Sequence, residues 1–317
     1  MKRRIPKPAV TTSATAPTPT PAAPAAPSAE APAAESPAPA VAPSIHTRPL
    51  GLSGWDKREP GLLAALATAA PLLLIGRHGT AKSFLLERLA QALALTYRFY
   101  NASLLNYDDL VGIPVPDAAQ TSLRYISTPT AIWDAEVVFI DELSRTRPDL
   151  QNKLFSIIHE RRVQGIPLEK LRYRWAAMNP PPGFDAGDQD DEADTYLGAE
   201  PLDPALADRF AFLLEVPGWA DLSTPEKEEL LADHFRGRHE FPVDVPALVA
   251  RTRERLAVLT ARPPALAPYF IALESQLRAA GTRFSSRRIS MLLRSALGIH
   301  AARGVLATAA APDWESS

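Results

Sequence analysis

The 317-residue chain contains no cysteine, which excludes a disulfide framework and any thiolate metal site. Charge of one sign is scarce too. With 34 basic and 36 acidic residues the formal net charge is −2, which makes no general case for nucleic acid or an anionic membrane as partner. Long hydrophobic runs are missing: no apolar stretch approaches the roughly 20 residues that span a bilayer. The opening Met1-Lys2-Arg3-Arg4 has the charge of a secretory signal, but no apolar segment follows it. A cytoplasmic location is the expectation. The six histidines show no paired metal spacing. What remains, 46% hydrophobic and 22% charged, suits one or two soluble domains with a full-sized core.

Proline is abundant, and unevenly so. Residues 1–50 hold 12 of the 32 prolines together with 14 alanines. Such a segment cannot bury enough surface to offset its ordering entropy, so residues 1–49 are expected to be a disordered tail with polyproline II character. It could serve as a tether or docking tail, or as a plain linker. Order is expected from Leu50. Helical patterns over 60–69 and 83–95 flank the apolar run Leu72-Leu73-Leu74-Ile75, and strands fit 97–100, 137–140 and 172–178. Residues 101–136 read as a loop and 148–160 as a helix. Strands alternating with helices imply a mostly parallel sheet covered on both faces. From Thr224 the pattern is helical only, with breaks at Pro263-Pro264 and Gly281. The expected fold is therefore α/β: a nucleotide-binding domain over 50–220, a small all-α domain over 221–308, and a flexible end at 309–317.

Two motifs carry chemistry. Gly76-Arg77-His78-Gly79-Thr80-Ala81-Lys82-Ser83 follows the first apolar strand directly, and Phe84 continues it into a helix. Small residues let backbone N–H groups converge on phosphate oxygens, and the helix N-terminus adds the positive end of its dipole. Lys82 can reach the β- and γ-phosphates, and the Ser83 hydroxyl can ligate Mg²⁺. The residue before the lysine is Ala81 where glycine is usual, and alanine tolerates positive φ poorly. An ordinary strand–turn–helix join is the competing reading. The second motif, Val137-Val138-Phe139-Ile140-Asp141-Glu142, lies about 60 residues later. Its strand delivers Asp141 to the carboxyl end of the sheet, where an α/β fold places its ligand. There Asp141 would hold Mg²⁺ and Glu142 would orient and deprotonate water. Two adjacent acids without a cation would repel, which favours a metal site. Asp185 to Glu200 is acidic but lacks calcium-loop spacing, and reads as an exposed loop.

With these motifs in place the sequence resembles the AAA+ ATPases, and within them the MoxR-like group. The resemblance rests on G-R-H-G-T-A-K-S, V-V-F-I-D-E-L-S-R, W-A-A-M-N-P and L-A-D-R-F, and covers roughly residues 50–305. A Thr-Ala-Lys-Ser ending is typical of that group. The resemblance implies ATP and Mg²⁺ as cofactors, with the phosphate loop binding the nucleotide. It implies that Asn179 acts as sensor 1, where a turn-capping asparagine is the alternative. Arg209 would be the arginine finger that reaches a neighbouring subunit, or else a partner of Asp208. Arg287 would be sensor 2, with Arg288 one position away as the alternative. Arg145 could make a second contact across an interface; local pairing of Arg145 and Arg147 with acids such as Asp149 is the other reading. Residues 161–167 read as a hairpin facing substrate or interface, or as a charged turn. The family further implies a homo-oligomeric ring, a hexamer, remodelling a protein client, often with a von Willebrand factor A domain partner. A DNA-directed helicase or loader, and a nucleotide-gated module with little turnover, are the competing functions. The lack of a basic stripe with aromatics stands against the first. The complete set Lys82, Asp141, Glu142, Asn179 and Arg209 stands against the second.

Overall fold

The computed structural model describes residues 47–121, 123–181, 202–236, 244–261, 266–282 and 284–310. The proline-rich tail, the acidic segment 185–200 and the last residues lie outside this set, as do the expectations attached to them.

Helix α1 (Glu59–Thr68) precedes β1 (Leu72–Ile75), and the phosphate loop leads into α2 (Lys82–Ala92) and β2 (Tyr97–Asn101). The next stretch, expected to be a loop, holds α3 (Tyr107–Val111) and an antiparallel hairpin of β3 (Ile113–Pro116) and β4 (Leu123–Ile126). Strand β5 (Val137–Asp141) and α4 (Pro148–Phe155) follow; the chain then tightens into one π-helical turn over Ser156–Glu160. A short hairpin, β6 (Arg162–Val163) and β7 (Ile166–Pro167), leads to β8 (Tyr173–Met178). After α5 (Pro204–Ala207) comes β9 (Phe212–Glu215), then the helical region: α6 (Thr224–Arg236), α7 (Val245–Ala261), α8 (Ala267–Ala279) and α9 (Ser286–Ala310).

Five strands form one sheet in the order β2-β5-β8-β1-β9, every neighbouring pair parallel. A parallel sheet is covered on both faces, which is why β1 reads Leu-Leu-Leu-Ile and is buried throughout. The period of two sorts these runs between two cores. Leu72, Leu74, Phe139 and Trp175 face a layer with Leu62, Leu66, Leu85 and Leu89 of α1 and α2. Leu73, Ile75, Val138, Ile140 and Ala176 face the other layer, with Leu150 and Leu154 of α4 and Phe210. The helical region shares the first layer through Val245, Leu248, Ala302 and Val305. All strands point the same way, so the ends of β1, β5, β8 and β9 open on one rim.

Candidate functional site

The rim at the end of β1 is shaped by the loop's smallest residues. A Cβ on Gly76 would sit 2.8 Å from Cβ of Val216, so only glycine lets β1 turn beside the end of β9. Gly79 adopts φ +74°, a conformation that favours glycine. Ala81 does the same without being glycine. At φ 59° and ψ 25° it is left-handed, and α2 begins directly after it. The expected departure from the usual loop is thus one of residue type, not of backbone shape.

Lys82 is buried, and its ammonium donates to the carbonyls of Gly76 and Arg77, both at 2.7 Å. Desolvation holds its pKa below the ordinary value, partly offset by the charges of Asp141 and Glu142. The Ser83 hydroxyl donates to Asp141 Oδ2 at 2.9 Å, which closes the two motifs onto one another across 58 residues of sequence. Asp141 Oδ1 accepts the Glu142 backbone N–H at 2.9 Å. Glu142 itself is left-handed at φ 54°, and its carboxylate lies 3.8 Å from the Arg145 guanidinium. Arg147 pairs with Asp149 at 3.9 Å, the local pairing anticipated as one alternative. A cavity of about 310 Å³ is lined by His78 to Phe84 together with Asp141, Glu142, Met178 and Asn179. Five sequence-predicted residues from three strand ends therefore meet at one place: Lys82, Ser83, Asp141, Glu142 and Asn179. His78 is exposed.

A hydroxyl and a carboxylate side by side are hard oxygen donors of the kind Mg²⁺ takes. Among the described residues no group of three or more His, Cys, Asp or Glu could hold a metal unaided. That suits an ion completed by phosphate oxygens and water.

A second cavity, about 710 Å³, shares the loop residues Gly76 to Thr80 and extends to Pro180, Glu215, Val216, Gly218, Trp219, Ala220 and Asp221. None of the residues beyond the loop was picked out from sequence. The available signal was the apolar Phe212-Leu213-Leu214 run ending in Pro217-Gly218, a strand followed by a turn.

The arginines lie elsewhere. Arg209 and Arg287 line neither cavity. Arg209 stacks 4.2 Å over the Phe155 ring and donates to the carbonyl of Ala205, while its Nε is buried without a hydrogen-bond partner. Asp208 accepts from Ser285 at 2.9 Å and forms no bridge to Arg209. Arg287 is exposed at the start of α9. Both guanidiniums lie near His159 and help hold its pKa below the usual value, after burial as the main cause. Arg288 donates to the carbonyl of Phe210 at 2.5 Å, so it staples α9 to the sheet domain and leaves Arg287 as the free cation of the pair.

Residues 71–210, less than half of the chain, match the family described as the AAA domain, dynein-related subfamily. The fold is similar to a crystal structure from Cytophaga hutchinsonii of a protein whose ATPase assignment is inferred. Identity is 18%, with 81% of this chain and 79% of that chain covered and a TM-score of 0.53. At that identity the likeness speaks for the fold alone. No curated protein matches the sequence at a significant level.

Proposed function

We propose that this chain is an ATP-hydrolysing, MoxR-like AAA+ ATPase that works in a homo-oligomeric ring, a hexamer, and remodels a protein partner. One observation carries the catalytic half of the reading: Lys82, Ser83, Asp141, Glu142 and Asn179 converge from separate strand ends on one cavity. Each has a role suited to its chemistry. Lys82, now satisfied by the loop's own carbonyls, has a mobile ammonium that can turn to phosphate oxygens. Ser83 and Asp141 would hold Mg²⁺, which supplies charge neutralisation at the phosphates. Glu142 takes the proton of the attacking water, and the Asn179 amide orients that water against the terminal phosphate. ATP and water give ADP and phosphate.

The assembly half rests on Arg209. Its distance from its own cavity, with an unsatisfied Nε, suits a finger that acts on a neighbour's nucleotide. Arg287, beside the same histidine, would face the same interface. The client, with a von Willebrand factor A domain protein as the leading candidate, follows from the family resemblance alone. Among the described residues no helix is long and apolar enough to cross a membrane.

The test combines three variants. Glu142→Gln should bind ATP and lose turnover, and Lys82→Ala should lose binding. Arg209→Ala should bind but not hydrolyse, and mixing it with Lys82→Ala should restore part of the activity. At some interfaces an intact pocket then meets an intact finger. Turnover proportional to monomer concentration, without rescue in mixtures, refutes the ring.

A further inference from the structure

The larger cavity contains groups that the phosphate chemistry does not use. It opens from the phosphate loop, and its far wall is the turn after β9, where the Gly218 N–H donates to Asp221 Oδ2 at 2.7 Å. This contact pins a short 3₁₀ turn, Trp219–Asp221, whose first residue is the only aromatic lining the cavity among the described residues. Trp219 is 54% exposed, among the most exposed large apolar side chains of the sheet domain. Its ring is nonetheless held: the Lys227 ammonium lies 5.6 Å from its centroid. A cation over one face leaves the opposite face for another flat partner. Beside it, Glu215 lines the cavity with no hydrogen bond or ion pair to any described residue.

We infer that Trp219 is the stacking platform for the nucleobase, and that the Glu215 carboxylate selects a base with an amino group on its edge. The inference rests on the nucleotide-site reading above and adds the substrate class that the phosphate loop cannot specify. A loop that grips phosphates binds any nucleoside triphosphate equally, so discrimination has to come from the other end of the ligand. The indole offers an aromatic face to any base. Glu215 can only accept a hydrogen bond, so it favours the N6 amino donor of adenine over the O6 acceptor of hypoxanthine. Asp221 has one oxygen committed to the turn and reinforces the acceptor character of that wall.

The experiment compares ATP, ITP and inorganic tripolyphosphate by calorimetry on the full chain. Tripolyphosphate reports the phosphate site without a base. Trp219→Ala should weaken ATP about ten-fold or more, the size of a lost base–aromatic stack, and leave tripolyphosphate within two-fold. Trp219→Phe should retain most of the affinity, which guards against a folding defect in the alanine variant. Glu215→Gln should narrow the ATP-to-ITP ratio, because an amide can donate to O6. Equal losses for ATP and tripolyphosphate in Trp219→Ala, or unchanged ATP affinity, overturn the platform. An unchanged ATP-to-ITP ratio in Glu215→Gln overturns the selector. If the unmodified chain binds neither ATP nor tripolyphosphate, the phosphate-site reading falls and this inference falls with it. If it binds both, only the base site is in question.

Discussion

Replacing Ala81 by glycine should stabilise the protein, although it removes a side-chain atom. Ala81 is held at φ 59° and ψ 25°, where an L-residue's Cβ crowds the following carbonyl at a cost of about 1–2 kcal/mol. Glycine pays none of that. It does loosen the unfolded chain, which takes back roughly 0.4–1 kcal/mol. The Ala81 methyl is exposed, so little burial is lost with it. The difference is a net gain of about 0.7 kcal/mol, which for a domain of this size raises Tm by roughly 2 °C. Valine at the same position should lose about 1–3 kcal/mol, because β-branching is worst tolerated in this region. Thermal melts of the three proteins followed by circular dichroism read both effects. The sign decides. If residue 81 were an ordinary right-handed residue opening α2, glycine would lower stability and valine would be nearly neutral. A fall in Tm for Ala81→Gly therefore refutes the strained-loop account. Nucleotide affinity should stay within two-fold, since glycine adopts the same backbone shape.

Two further outcomes follow from backbone and charge. A Cβ on Gly112 would lie 2.2 Å from the Ile126 carbonyl oxygen, at φ +86°, so Gly112→Ala should cost about 3 kcal/mol. Hydrogen exchange should show lost protection across 113–116 and 123–126; unchanged protection there would contradict the register of that hairpin. His159 is held below its usual pKa by burial and by Arg287 and Arg209, with Glu160 opposing. The unfolded chain therefore binds the proton first as pH falls below about 6.5, and stability declines from there through the folded-state pKa. His159→Asn should show a shallower loss of stability between pH 7 and 5 than the parent, and an identical slope would remove His159 from the cause.

The elements legible in the sequence share one property: the signal is contiguous. β1, β5 and β8 are buried on both faces, so each shows as an apolar run, and the polar residue that ends each run lands on the rim. Lys82, Asp141 and Asn179 could be placed before any coordinates for that reason. β9 was missed because it has four residues, ends in an exposed glutamate, and sits at the sheet edge with Leu213 41% exposed. Missing it hid the wall that carries Trp219 and Glu215. The β3–β4 hairpin was read as loop because Pro114 and Pro116 occupy β3, and proline signals against a strand except at an edge, where β3 lies. The arginines show a different limit. Arg287 and Arg288 are adjacent in sequence, and only the carbonyl of Phe210, 78 residues away, separates their roles.

The same logic explains why α1, with no chemistry of its own, organises the molecule. Its carboxyl end presents carbonyls that carry the negative end of the helix dipole. Arg174 of β8 donates to Ala69 O at 2.9 Å, and also to Ile158 O at 3.0 Å in the π-turn after α4. Burial pushes this guanidinium down to about 10, still well above neutral pH, so a charged group stays inside the fold on carbonyl partners alone. Arg253 of α7 donates to Leu66 O and Ala67 O, and to the Tyr173 hydroxyl beside Arg174. Two cations from different layers thus share one helix end. Through it the strand that ends at Asn179 is joined to the helix packed along α9, whose first turn carries Arg287. A cost is built into this arrangement: shifting the helical region against the sheet would strip hydrogen bonds from buried carbonyls, each worth about 1–3 kcal/mol. Nucleotide-dependent motion is therefore cheaper between subunits than within one. That is where a finger folded back on Phe155 and an exposed Arg287 would have to act.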